Sequence, residues 1–448
     1  MQSPTVGTLG EAYEWMAERQ RANTFSVEPV EFAELDRWSF AADTGDLVHD
    51  SGGFFQIRGV RAARDDPDGE AWSQPIIDQP EVGILGIVTK EIDGVLCLLM
   101  QAKMEPGNVN TIQLSPTVQA TRSNYLRRHG GAPTRYLEYF REETRCRVLA
   151  DVLQSEHGTR FYRKRNRNII VEIDDTPELT EEYRWLTLGQ VYAMLLDDNV
   201  VNMDTRSVLS CLPLSGPAAE PADPFAAATL RSLNARRDLA DVQRWLNHCK
   251  ASATLTASLI PLGEAHGWHR GPREIVHENG RHFKVIAAAI HATSREVSSW
   301  TQPLIAPCGQ GVIAFLASRA SGVLEVLVHA RQEIGLRDGI EIGPTVQCNP
   351  VSGKRRPYLD LIEAASPSDF RYDVVQSEEG GRFYHGENRY AIVEVDDDFR
   401  RAQPLPGYRW VTLGQLAELL PHSGYLSVEA RSLIACAQTS LGLGRWSA

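Results

Sequence analysis

The sequence predicts an α+β protein built as a tandem duplication of one mixed-sheet unit. Three observations carry this. First, whole strings return in order: Trp72-Ser73-Gln74-Pro75-Ile76-Ile77 as Trp300-Thr301-Gln302-Pro303-Leu304-Ile305, and Pro116-Thr117-Val118-Gln119 as Pro344-Thr345-Val346-Gln347, both at an offset of 228. Gln154-Ser155-Glu156 with Arg160-Phe161-Tyr162 returns at an offset of 222, and Tyr183-Arg184-Trp185 at 225. Small drifts in a nearly constant offset are what loop insertions leave behind after duplication. Second, most apolar segments within a copy are short and alternating, as strands require. Third, the helical segments recur at matching places.

Taken in order, residues 8–213 form the first copy, 214–237 a Pro/Ala-rich linker and 238–438 the second. Two units of about 200 residues suit a chain of 448. Gly10 to Arg21 reads as an amphipathic helix with Ala12, Trp15 and Met16 on one face, echoed by Asp241 to Cys249. Phe54 to Val60 and His282 to Ile286 alternate as strands. Val82–Val88 and Gly94–Gln101 form a hairpin turning at Asp93-Gly94, repeated as Val312–Ala317 and Val323–Ala330 around Ser321-Gly322. Asn168–Ile173 and Tyr390–Val395 are further strands. Thr187 and Thr412 cap helices that run to Leu196 and Leu420. Pro213, Pro217, Pro221 and Pro224 among Ala and Gly give the linker its composition.

The bulk numbers narrow the function. No apolar run is long enough to span a bilayer, and Met1-Gln2-Ser3-Pro4 does not open a signal peptide. Seven scattered cysteines without a Cys-x-x-Cys pair read as free thiols, which fits a reducing cytoplasm. A net charge of −12 argues against nucleic acid as a partner. Against that charge, Arg160, Arg163, Lys164, Arg165 and Arg167 form a local basic cluster, better matched to a small anion than to a polymer. Zinc-ligand spacing, a phosphate-binding Gly-rich loop, a dinucleotide fingerprint and a Gly-x-Ser-x-Gly elbow are all missing from the sequence.

What remains is a set of polar residues kept in both copies. Gln101-Ala102-Lys103-Met104-Glu105-Pro106-Gly107 matches His329-Ala330-Arg331-Gln332-Glu333-Ile334-Gly335. Alternation puts cation and carboxylate on one face of the strand. There Lys103 can polarise a carbonyl or phosphate, and Glu105 can act as a base or accept from a sugar hydroxyl. A polar strand of Gln113, Ser115, Thr117, Gln119, Thr121 and Arg122 follows, with Thr117 and Gln119 kept as Thr345 and Gln347. The third set is Arg163 to Asn168, of which Asn166-Arg167 survives as Asn388-Arg389 and suits an anion. Trp72 and Trp300 read equally as stacking platforms and as core.

Together these strings resemble the NDP-hexose 2,3-dehydratase family of deoxysugar biosynthesis. The carriers are Trp72–Pro75, Gln101–Asn108, Gln113–Thr121 and Arg163–Asn168, and the resemblance spans essentially the whole chain. It implies a dimer whose subunit is a duplicated Nudix-like unit, and two nucleotide-sugar pockets per chain with only one catalytic. It also implies dTDP-4-keto-6-deoxy-D-glucose as substrate, no cofactor, and a downstream 3-ketoreductase consuming an unstable product. The nearest approach to a Nudix hydrolase box, Gly131 to Thr144 with Glu138 and Arg141-Glu142-Glu143, has the wrong spacing for magnesium-dependent hydrolysis.

Under this reading Lys103 and Glu105 are the catalytic candidates, with the base left between Glu105 and an unplaced Tyr or His. Trp72, Gln101, Thr117, Gln119, Arg122, Arg163, Lys164, Asn166, Arg167 and Asn168 are expected to bind substrate. The second pocket is expected at Trp300, His329, Arg331, Glu333, Thr345, Gln347, Tyr384, Asn388, Arg389 and Tyr390. The longer polar strand and the extra cations favour the first copy as the active one.

Overall fold

The structure, a computed structural model, describes residues 7–65, 69–125, 133–141, 146–214, 221–235, 238–293, 297–349 and 356–441. Within the first copy, seven strands form one sheet. Its main path runs Arg147–Ser155, Arg165–Glu172, Gly83–Ile92, Val95–Met104 and Tyr183–Thr187, with Ile112–Ser115 and Val118–Ala120 attached at the side. All pairings are antiparallel except that of Arg165–Glu172 with Gly83–Ile92. The second copy repeats this sheet, with Gly311–Ser318 parallel to Glu387–Glu394 at its centre. Asp93 and Gly94 both take positive φ, which a tight hairpin turn demands. Thr187 and Thr412 cap their helices, each in a reciprocal capping box with Gln190 or Gln415.

Two smaller sheets join the copies by exchanging strands. Phe25–Val30 of the first copy pairs with Lys284–Ala292 of the second, and Leu255–Ile260 of the second pairs with Gln56–Arg64 of the first. Gly59 lies under the exchanged strand, where a Cβ atom would sit 2.7 Å from the Pro261 carbonyl oxygen.

Part of the linker is helical. Pro224–Asn234 is a helix, with Asp223 as N-cap and Pro224 pre-set in its first turn. Phe225, Ala228 and Leu230 are buried. This helix packs on Leu413–Leu419, where a Cβ atom on Gly414 would lie 2.2 Å from the Ser232 carbonyl oxygen.

At the centre, the helices Met203–Ser210 and Val428–Gln438 pack against each other, and each carries a fully buried arginine. Arg206 donates to the Ser377 carbonyl at 2.7 Å and to Gln376 at 3.2 Å; Arg431 donates to the Ser155 carbonyl at 2.6 Å and to Ser207 at 3.0 Å. Each copy thus anchors its helix in the other. The described helices include none long and apolar enough to cross a membrane.

Candidate functional site

The exchange continues into two clefts. Gly107 and Gly335, the glycines kept after each Lys/Arg-x-Glu, sit where a Cβ atom would be 1.7 Å from the carbonyl oxygens of Phe383 and Phe161. Only glycine allows the backbone bonds made there: Gly107 N–H donates to Gly380 and Gly335 N–H to Gly158, both at 2.7 Å. Each copy therefore grips a loop of the other, and each loop lends side chains to the cleft of its host.

The first cleft encloses about 370 Å³. The first copy supplies Lys103, Glu105, Gln119, Lys164, Asn166 and Asp204; the second supplies Trp300, Gln302, Glu379 and Arg382. Lys103 Nζ lies 3.5 Å from Glu105 and donates to the Gln119 carbonyl at 3.1 Å. Gln119 donates to Glu105 Oε1 at 3.0 Å, while Glu105 Oε2 is buried without a hydrogen bond among the described residues. Asp204 Oδ1 and Glu156 Oε2 are orphaned in the same way. Burial, with Glu379, Glu156 and Glu105 close by, raises the Asp204 carboxyl well above the usual carboxylate range. Burial with Glu156 and Glu105 pushes Glu379 up to about 7, against the pull of Arg382. Burial also lowers the Lys164 ammonium. Trp38, His49, Phe54, Phe55 and Trp300 give the other part of the cleft an aromatic wall.

The second cleft, of about 270 Å³, holds the counterparts in a different state. Arg331 draws Glu333 to 2.6 Å, and Glu333 is not among the side chains at the cavity. His157 enters from the first copy and lies between two carboxylates, Glu378 at 3.1 Å and Glu429 at 2.9 Å. Burial opposes charging of the imidazole, yet the two carboxylates prevail and raise it. Burial likewise works against Glu378 and Glu429, and His157 overcomes it, taking Glu429 down to about 2. Tyr390 O–H donates to Glu378 at 3.0 Å, and Asn388 donates to the same oxygen. The charges here close on one another.

Not every residue expected at a cleft reaches one. Alternation along the strand separates Asn166 from Arg167: Asn166 lines the first cleft, while Arg167 turns to the opposite face and pairs with Asp151 at 2.6 Å. Asn388 and Arg389 divide in the same way, Arg389 pairing with Asp373. Thr117 and Thr345 are consumed by the sheet, accepting from Val88 N–H and Leu316 N–H at 2.9 Å. Trp300 lines the first cleft, not the second: its strand pairs with Lys284–Ala292, whose other edge takes Phe25–Val30 of the first copy. Trp72 packs beside Val60, Ala62 and Ile76 and reaches neither.

Gln101 sits in the sheet opposite Ser115, Arg122 is exposed, and Arg163 is exposed over the Tyr162 ring. Asn168 accepts from the Ser207 hydroxyl and lines neither cleft. His329 stacks on Tyr408 at 4.3 Å, and Tyr384 stacks on His385. Arg331 and Gln347 line the second cleft; Tyr390 supports it from behind. Glu138 is exposed, while Gly131, Glu142 and Glu143 lie outside the described residues.

Asp204, Glu156, Glu379, Arg382, His157 and Glu429 escaped the sequence reading. The signal was present for most of them. Arg382 and Arg160 belong to a repeated string, each places its guanidinium 4.2 Å over a phenylalanine (Phe55 and Phe283), and each lines the cleft of the opposite copy.

Fold and clefts together define a duplicated small-molecule protein with buried acid–base groups, cations and an aromatic wall in one chamber. The comparisons make the class specific. The sequence model of the NDP-hexose 2,3-dehydratase family matches residues 9–212 and again 239–437, and the chain belongs to that family. It is 48% identical to a dTDP-4-dehydro-6-deoxy-alpha-D-glucopyranose 2,3-dehydratase of Saccharopolyspora spinosa, over 96% of this chain and 91% of the relative. Enzymes of the same name from Amycolatopsis orientalis and Streptomyces violaceoruber are 47% and 44% identical, over 94% and 95% of this chain and 88% and 96% of theirs.

Proposed function

We propose that the chain removes water across C2 and C3 of dTDP-4-keto-6-deoxy-D-glucose, giving the 3,4-diketo-2,6-dideoxy sugar, and that it does so in the first cleft. The names of three relatives at 44–48% identity over nearly the whole chain support the reaction. One observation carries the choice of cleft. Among the described residues, Glu105, Glu156 and Asp204 of the first and their counterparts Glu333, Glu378 and Glu429 of the second each keep one oxygen without a hydrogen bond. Among those same residues, however, Glu156 and Asp204 have no ion pair and Glu105 meets Lys103 at 3.5 Å, whereas Glu378, Glu429 and Glu333 are ion-paired with His157 or Arg331 at 3.1, 2.9 and 2.6 Å.

The 4-keto group acidifies the C3 proton, which Glu105 removes. Lys103 offers positive charge to the oxygen that becomes negative on C4. Arg382 and Lys164 meet the diphosphate, and the thymine lies on the wall of Trp38 and Trp300. The second cleft, with Arg160, Arg331 and Arg356, holds a nucleotide sugar without turning it over. We read each seven-stranded unit as Nudix-like, the protein as a cytoplasmic homodimer, and a 3-ketoreductase as the next enzyme to act.

The test is incubation with dTDP-4-keto-6-deoxyglucose and a 3-ketoreductase that traps the product. A 2-deoxy sugar is expected. Folded protein that binds the dTDP-sugar and forms none would leave only a binding protein.

A further inference from the structure

Resting on that reading of the first cleft, we infer that Glu379, delivered by the second copy, is the general acid that protonates the departing C2 hydroxyl. The loop 378–383 forms a wall between the clefts, with Glu378 facing the second and its neighbour Glu379 facing the first. Among the described residues no hydrogen bond engages the Glu379 carboxyl, although Arg382, Glu156, Glu105, Lys164 and Asp204 act on it electrostatically. An atom at the Cβ position of Gly381 would lie 3.3 Å from Glu379 Oε1 and 3.5 Å from Glu105 Oε1. The two carboxylates thus flank one point of the cavity, as an acid and a base acting on adjacent carbons must. Glu105 adds the orphaned, buried Oε2. The counterpart of Glu379 in the other cleft is His157, whose two ring nitrogens are both held by carboxylates. That difference leaves a proton donor in one cleft and a closed ion network in the other.

The step balances. Glu105 takes the C3 proton, and the C–H electron pair moves toward the C4 oxygen. Return of that pair forms the C2–C3 double bond and breaks the C2–O bond, while the Glu379 proton passes to the leaving oxygen as water. In the tautomerisation that follows, Glu379 regains a proton from the 3-hydroxyl and Glu105 returns its own to C2. Both residues end as they began. Since burial and the neighbouring carboxylates push Glu379 up to about 7, the donor form is present below that pH and lost above it.

The experiment uses the full chain and dTDP-4-keto-6-deoxyglucose in deuterated water, following deuterium at C3 of recovered substrate and the trapped 2-deoxy product separately. Glu379→Gln should keep C3 exchange within about threefold while dehydration falls by about 100-fold or more. Glu379→Asp should recover part of the turnover and shift the alkaline limb of kcat, which in the unaltered protein falls as pH rises through about 7. Glu379→Gln that dehydrates within about threefold of the unaltered protein overturns the inference, as does a folded variant losing exchange and dehydration together. A Glu105→Gln variant with normal exchange and normal dehydration would instead overturn the choice of cleft, whatever Glu379 does.

Discussion

A strand that serves a cleft shows it every second residue, and the Asn166-Arg167 pair illustrates the consequence. Retention in both copies marked the pair as useful, and both members are: Asn166 holds Glu156 at 2.7 Å, and Arg167 staples the sheet to Asp151. Which one faces the ligand depends on sheet register, which no single strand states. Lys103, Glu105, Gln119 and Asn166 were legible as cleft residues because they combine charge or hydrogen-bonding capacity with repeat-matched strand positions, and Lys164 because it belongs to the basic cluster of the first copy. Arg382 was not, since its cleft belongs to the other copy. Arg382→Ala is expected to lower kcat/KM by about tenfold to 100-fold, as loss of charge-assisted contacts worth roughly 1.5–3 kcal/mol requires. Steady-state kinetics against Arg160→Ala checks this, with the smaller effect expected for Arg160.

The His157 triad also gives a pH prediction at this scale. Glu429 titrates at about 2 in the folded protein, below its ordinary 4.5, so its stabilisation is present above pH 4.5 and lost as pH falls toward 2. His157 is raised above 6.5, so its share is full below 6.5 and lost as pH rises through its folded value. Thermal melts should therefore show a falling Tm below pH 4.5, with a shallower acid slope in Glu429→Gln. An unchanged slope would remove the triad from the stability account.

Among elements, the hairpins, capped helices and amphipathic first helix could be read directly, because turn geometry, capping and periodicity are local. The helix Pro224–Asn234 was missed, since four prolines over a short stretch mask the Asp223-Pro224 start signal. The gripping loops were half visible: the glycines stood out, but the carbonyl oxygens they admit lie 276 residues away for Gly107 (383 − 107) and 174 for Gly335 (335 − 161). Gly107→Ala and Gly335→Ala should each destabilise the fold by on the order of 2–4 kcal/mol, because a Cβ atom would overlap a backbone carbonyl that cannot retreat. Chemical denaturation measures this. A change below about 0.5 kcal/mol would mean the grip is loose.

For the whole molecule, the duplication was plain and the interweaving was not. Repeats reveal that two units exist, whereas the exchange of Phe25–Val30 for Leu255–Ile260 depends on which sheet edge each strand meets. Separated at the linker, each copy would lose a strand from its smaller sheet, the partner of its buried arginine and the loop completing its cleft. Neither 1–237 nor 238–448 expressed alone is expected to unfold cooperatively as a monomer; circular dichroism with size-exclusion chromatography would show this. Exchange also explains why the two clefts could diverge in chemistry without losing each other's support.

The central claim is that water leaves in the cleft of Lys103 and Glu105. Its most direct test is turnover of dTDP-4-keto-6-deoxyglucose by Glu105→Gln and Glu333→Gln, measured side by side at saturating substrate. Glu105→Gln should lose about 100-fold or more in kcat, and Glu333→Gln should stay within about tenfold of the unaltered chain. The opposite order, with Glu333→Gln inactive and Glu105→Gln turning over, would contradict the account.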